Sequence, residues 1–152
     1  MRLVFKLLIL TVFIVSCDEN RVFDKYEHID NASWDKDSIV NFSFNLKDTL
    51  SRNQVFIKLR NTVDYSYSNI YLFTRVNFPD GKVLVDTLEY EMTTAEGNWL
   101  GDGISSVKSN ILYFKKDVVF YSKGDYSVSI QHGMRDEKLI GIKDVGLRIE
   151  NN

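Results

Sequence analysis

Apolar and polar side chains alternate with period two along most of this chain, the pattern of strands with one buried face. Val40, Phe42, Phe44 and Leu46 alternate with Asn41, Ser43 and Asn45, and Val55, Ile57 and Leu59 with Phe56, Lys58 and Arg60. Tyr126, Val128 and Ile130 alternate with Ser127, Ser129 and Gln131, and Val145, Leu147 and Ile149 with Gly146, Arg148 and Glu150. The run 69–78 is apolar or aromatic on both faces, which predicts a central strand covered on both sides. The run Asn77-Phe78-Pro79-Asp80-Gly81-Lys82 predicts a hairpin, because Pro presets one turn dihedral and Asp-Gly tolerates positive φ. Beyond it a strand resumes, with Leu88, Tyr90 and Met92 opposite Glu89 and Glu91. Gly97 to Gly103 is a glycine-rich loop around Trp99. Ile111–Phe114 and Val118–Tyr121 predict strands on either side of the charged Lys115-Lys116-Asp117. No segment sustains a 3.6-residue apolar period, and Ser105 to Asn110 is the best candidate for a single helical turn. Short strands punctuated by turns predict an all-β fold, an antiparallel two-sheet β-sandwich of immunoglobulin-like or jelly-roll-like type.

The N-terminus follows a different pattern. Arg2 and Lys6 precede an apolar stretch from Leu7 to Val15 broken only by Thr11. A bilayer span needs about 20 apolar residues, so this stretch reads as the hydrophobic part of a cleaved signal peptide. Ser16 and then Cys17 follow in the register of a bacterial lipobox. In that chemistry the Cys17 thiol is diacylated, the chain is cut before it, and the new amino group is acylated. The expected organisation is a signal peptide over 1–16, a lipid anchor and tether over 17–35 that includes a candidate edge strand, and a sandwich domain over 36–152. Asp18 and Glu19 directly after Cys17 resemble a surface-export signal; they also fit a solvated linker.

Charge and composition narrow the function. Removing Arg2 and Lys6 from 19 basic residues leaves 17 against 21 acidic ones, a mildly acidic mature domain. No basic tract is present, so nucleic acid is not an expected partner. Cys17 is the one cysteine, which leaves no disulfide and no cysteine catalysis once it is acylated. His28 and His132 are too few for zinc and read as surface or turn histidines. Asp35 and Asp37 lack the glycine-turn loop of a calcium site and read as the start of a strand. Glu89 and Glu91 share one strand face, roughly 6.6 Å apart, and read as a solvated face, not as carboxylates opposed across a sugar. The expectation is a protein that is not an enzyme, with no catalytic residues, no metal and no cofactor beyond the covalent lipid on Cys17. Tyr65, Tyr67 and Trp99 lie in or beside loops and are candidate binding residues for a partner protein or a sugar face. Trp99 also fits a cap over the open end of the sandwich.

Several segments resemble the gliding-motility lipoprotein family GldH of the Bacteroidetes. They are Leu59-Arg60-Asn61-Thr62 with Asp64-Tyr65, Phe78-Pro79-Asp80-Gly81-Lys82, Asp86-Thr87-Leu88-Glu89-Tyr90-Glu91-Met92, Gly97-Asn98-Trp99-Leu100-Gly101, Met134-Arg135, and the closing run from Gly141 to Glu150. The resemblance spans nearly the whole mature chain, in order, and includes the lipobox. It implies a lipid-anchored cell-envelope protein, placed at the outer membrane on either its periplasmic or its surface face. Such a protein supports gliding motility and the associated type IX secretion machinery by binding other envelope proteins. A carbohydrate-binding surface lipoprotein is the alternative.

Overall fold

The computed structural model describes residues 20–152. Among these residues ten strands occur in chain order: β1 (Arg21–His28), β2 (Ser33–Asp35), β3 (Val40–Leu46), β4 (Arg52–Thr62), β5 (Asn69–Asn77), β6 (Val83–Glu91), β7 (Val107–Val119), β8 (Gly124–His132), β9 (Lys138–Ile140) and β10 (Ile142–Asn151). One sheet has the order β1-β10-β4-β7 and the other β3-β8-β5-β6, with β2 and β9 forming a separate short ribbon. Every pairing is antiparallel. Setting the short ribbon aside, first strand beside last and second beside next-to-last, split across two sheets, is the jelly-roll arrangement. Of the two sandwich types expected, this topology selects the second.

The alternation seen in the sequence maps onto the interior. Phe42, Phe44, Ile57, Leu59, Val128, Ile130, Leu147 and Ile149 are buried between the two sheets. The hairpin closes where expected: the Phe78 amide donates to the Lys82 carbonyl at 2.9 Å, and Gly81 takes φ +85°.

The candidate edge strand within 17–35 is present as β1, from Arg21, and Trp34 on β2 is fully buried. Other expectations are corrected. Ser105–Asn110 is not a helical turn. From Val107 it pairs with the end of β4, where Asn110 Nδ2 donates to Asn61 Oδ1 at 2.9 Å, and cross-strand bonds override the weak local preference. The charged triplet 115–117 does not separate two strands either, because β7 runs through it on bulges, with Asp117 at φ +55°. Asp35 ends β2, and its Oδ1 accepts the Asp37 amide at 2.9 Å in a turn that leads to β3.

The strand covered on both faces is β4, not β5. Phe56 and Lys58, on the outer side of β4, are buried beneath neighbouring side chains: Phe56 lies 4.7 Å from the Tyr113 ring, and Lys58 Nζ sits 4.0 Å above the Tyr26 ring. Tyr26 can lie across this sheet because the residue beside it is Gly146, where a Cβ would come within 2.7 Å of the tyrosine ring. On β5 the burial alternates strictly, and Tyr71 and Phe73 face outward from the second sheet.

His132 is a second correction to the expected surface. It is fully buried at the end of β8, edge-on to Trp34 at 5.3 Å, and neither ring nitrogen has a hydrogen-bond partner among the described residues. Burial pushes its pKa down, against a smaller upward pull from the Trp34 backbone. The unfolded chain therefore takes up a proton near the ordinary histidine value while the folded chain still resists it. Stability supplied by this site is complete above about pH 6.5 and falls as pH drops through that value toward the lower folded pKa. Denaturant midpoints measured between neutral pH and pH 5 should fall less in His132→Phe than in wild type; equal slopes would assign the acid sensitivity elsewhere.

Candidate functional site

The outer face of the second sheet divides into a polar and an aromatic half. On β3 and β8 the outward residues are small and polar, with Ser129 Oγ donating to Asn41 Oδ1 at 2.7 Å across the pair. On β5 and β6 they are Tyr71, Phe73, Arg75, Val85 and Thr87. Tyr71 is 38% and Phe73 44% exposed, more than a core ring shows and enough for contact with a partner.

These rings floor a groove of about 600 Å³ lined by Tyr67, Tyr71, Phe73, Thr87, Met134 and Arg135. A second depression of about 260 Å³ continues along the sheet past Phe73 to Arg75, Val85 and Ile39. Gly133 shapes the wall: its amide donates to the Tyr71 carbonyl at 2.7 Å, and a Cβ there would press on the Phe73 ring at 3.0 Å.

The groove tyrosines are held by carboxylates. Tyr67 donates its hydroxyl to Asp136 Oδ2 at 2.7 Å, and this bond is the main reason its pKa is raised. A hydrogen bond to the Glu89 carboxylate raises Tyr71 in the same way, and Glu89 also accepts from Asn69 Nδ2 at 2.7 Å. Both hydroxyls stay protonated at neutral pH and are engaged within the protein. Arg75 and Arg135 form no ion pair with any of the described residues, so two guanidinium groups face the groove and its continuation alongside the Asp136 and Glu89 carboxylates.

Of the residues singled out from the sequence, Tyr65, Tyr67 and Trp99 do come together at one end of the sandwich. The Tyr65 ring centroid lies 5.9 Å from Tyr67 and 6.5 Å from Trp99. Their surroundings differ. Tyr65 is buried, donates to the Asn69 carbonyl at 2.7 Å, and has its pKa raised by burial. Trp99 is half-buried against the core, bridged to Thr93, in the position of a cap. Tyr67 alone of the three lines the groove. The sequence reading missed Tyr71 and Phe73, whose signal was the excess of aromatics in the run 69–78. Glu89 and Glu91 are exposed on β6, and His28 is a surface residue with Nδ1 3.0 Å from Asp144. Among the described residues no three metal-ligating side chains converge. Cys17, Asp18 and Glu19 lie outside the described residues.

Comparison with known proteins gives the family. The profile of the GldH lipoprotein family matches residues 21–149. A gliding motility lipoprotein GldH homolog of Christiangramia forsetii is 45% identical over 98% of this chain and 95% of its own. The gliding motility lipoprotein GldH of Flavobacterium johnsoniae is 39% identical over 95% of this chain and 93% of its own. Among solved structures, dimeric latent PorU from Porphyromonas gingivalis aligns over 88% of this chain and 13% of that one, with 10% identity and a TM-score of 0.40. With two full-length relatives and a profile match across the folded unit, the chain belongs to the GldH lipoprotein family.

Proposed function

We propose that this protein is anchored in the cell envelope through acyl chains on Cys17 and supports gliding motility, and the type IX secretion machinery associated with it, by binding another envelope protein in the Tyr67–Phe73 groove. The observation that carries the reading is the contiguous exposure of Tyr71 and Phe73 beside the Arg75 and Arg135 guanidinium groups, which form no ion pair with any of the described residues. A segment carrying apolar side chains and a carboxylate fits that surface. Aromatic anchors in a pocket commonly supply most of the energy of such contacts. The family and its two relatives, both named for gliding motility, support the setting.

The test is complementation of cells that lack the protein. Phe73→Asp puts a charge on the groove floor and leaves the core alone. It should abolish colony spreading while the lipoprotein accumulates at wild-type level, whereas Glu91→Gln on β6 should spread normally. Normal spreading by Phe73→Asp would sink the groove as the contact site. Binding of wild type to envelope polysaccharide, lost in the same variant, would favour the carbohydrate reading over a protein partner.

A further inference from the structure

The chain enters and leaves the fold at one end of the sandwich. The Asn151 amide donates to the Asn20 carbonyl at 2.8 Å, and the Asn152 amide to the Arg52 carbonyl at 3.0 Å. At this same end two loops cross side by side from sheet to sheet. One joins β3 to β4 and the other β7 to β8; they leave from the paired residues Leu46 and Gly124 and from Arg52 and Val119.

Each loop holds an apolar side chain out into solvent. Leu50 is 88% exposed and Tyr121 85%. Neither is loosely placed. Asp48 Oδ1 accepts the Leu50 amide at 2.8 Å and the Ser51 amide at 3.3 Å, which fixes the first tip. In the second, Phe120 is packed on Tyr126 at 5.2 Å, while the Tyr126 hydroxyl donates to the Ser122 carbonyl at 2.7 Å. Tyr121, between those two anchors, is left pointing outward. Charges of both signs surround the tips, with Lys47 and Lys123 near Asp48 and Arg52 paired to Asp117 at 2.5 Å.

Because β1 begins at Arg21, only Asp18, Glu19 and Asn20 separate Cys17 from the folded unit. Three residues reach at most about 11 Å. The ten residues of β10 extend about 33 Å from end to end. With acyl chains on Cys17, the end carrying Leu50 and Tyr121 is held at the bilayer, and the opposite end stands about 30 Å away from it.

We infer that Leu50 and Tyr121 are seated in the bilayer interface, so that the domain docks on the membrane in one orientation and does not hang free from its anchor. The inference rests on the Cys17 anchor proposed above. A leucine and a tyrosine on adjacent tips suit the interface, where an apolar body meets buried acyl surface and a polar tip stays wet. The mixed charges make apolar contact, not attraction to anionic headgroups, the basis of recognition. In this orientation the Trp99 end, Tyr67 and the mouth of the groove point away from the membrane, toward soluble or opposite-leaflet partners.

The test uses the full acylated chain in vesicles of phosphatidylethanolamine and phosphatidylglycerol. Flotation with the vesicles, lost in Cys17→Ser, reports the anchor alone. An environment-sensitive fluorophore is placed in turn through Leu50→Cys, Tyr121→Cys and, as the far-end control, Ile104→Cys, a position 109% exposed in the loop before β7. Brominated lipids should quench the first two about twofold or more over the third, since an interfacial group sits about 5–10 Å into the headgroup boundary. Raised salt should leave that pattern unchanged. Flotation with equal, weak quenching at all three positions overturns the docking and spares the anchor. Stronger quenching at Ile104 overturns the orientation. A wild-type chain that does not float removes the anchor and the docking together.

Discussion

Trp34→Ala is expected to cost about 3–5 kcal/mol of folding stability, the range for a fully buried aromatic truncated in a core. Trp34 is wholly buried although it lies in a stretch that reads as tether. It pairs with Leu139 across the β2–β9 ribbon, abuts His132 at the end of β8, and donates its Nε1–H to the Ser38 carbonyl at 2.9 Å. One ring thus ties the first part of the chain to β8 and β9. Truncation opens a cavity and strips a carbonyl of its donor, and the two effects add. Against a total stability of about 5–15 kcal/mol, that loss brings the domain near unfolding. Urea titration should show a lower midpoint with an unchanged slope. Trp99→Ala is the control, since Trp99 is only half-buried and should cost clearly less. Equal midpoints for the two variants would mean that Trp34 does not tie the early strands to the core.

Trp34 also marks where reading the sequence stops working. The strands that face the core, such as Val40–Leu46 and Tyr126–Gln131, were legible because a half-buried strand imposes period two on its own residues. A segment like 20–35 is short, mixed and charged. Its place depends on partners more than a hundred residues away, as Phe23 beside Ile149 and Trp34 beside Leu139 show. The same limit explains the exchange of β4 and β5. Phe56, Lys58 and Arg60 look like a solvated face until Tyr26, Tyr113 and Asp24 are laid over them, and those contacts are set by register across three strands. The outward aromatics of β5 look like core until the sheet beside them proves bare. The groove was therefore half visible: Tyr67 stood out as a loop aromatic, whereas Tyr71 and Phe73 were assigned to the interior. His132 was misplaced for a related reason. Its burial follows from the packing of Trp34, which no local pattern discloses.

The covered outer face of the first sheet carries the second large effect. Lys58 is a buried lysine, its side chain 8% exposed, and its ion-pair partner is Asp24 on the neighbouring edge strand. Asp24 also accepts from Arg148 Nη1 at 3.4 Å, and Tyr26 lies under both Lys58 Nζ and the Arg60 guanidinium, at 4.0 and 4.1 Å from its ring centroid. Removing either member of the Lys58–Asp24 pair does not leave the same remainder. Without Asp24, a buried ammonium keeps a tyrosine face for company and a second cation on that same ring. Without Lys58, Asp24 keeps Arg148. Breaking a buried pair so that a charge is stranded costs about 3–5 kcal/mol, whereas replacing both members by apolar groups is often near neutral. Asp24→Leu should therefore lose about 3–5 kcal/mol, Lys58→Met clearly less, and the two combined should recover most of the first loss. Denaturant titration of the four proteins closes the cycle. If the double variant costs the sum of both singles, then the pair is not coupled and edge strand β1 is held by its backbone ladder and by Phe23, Tyr26 and His28.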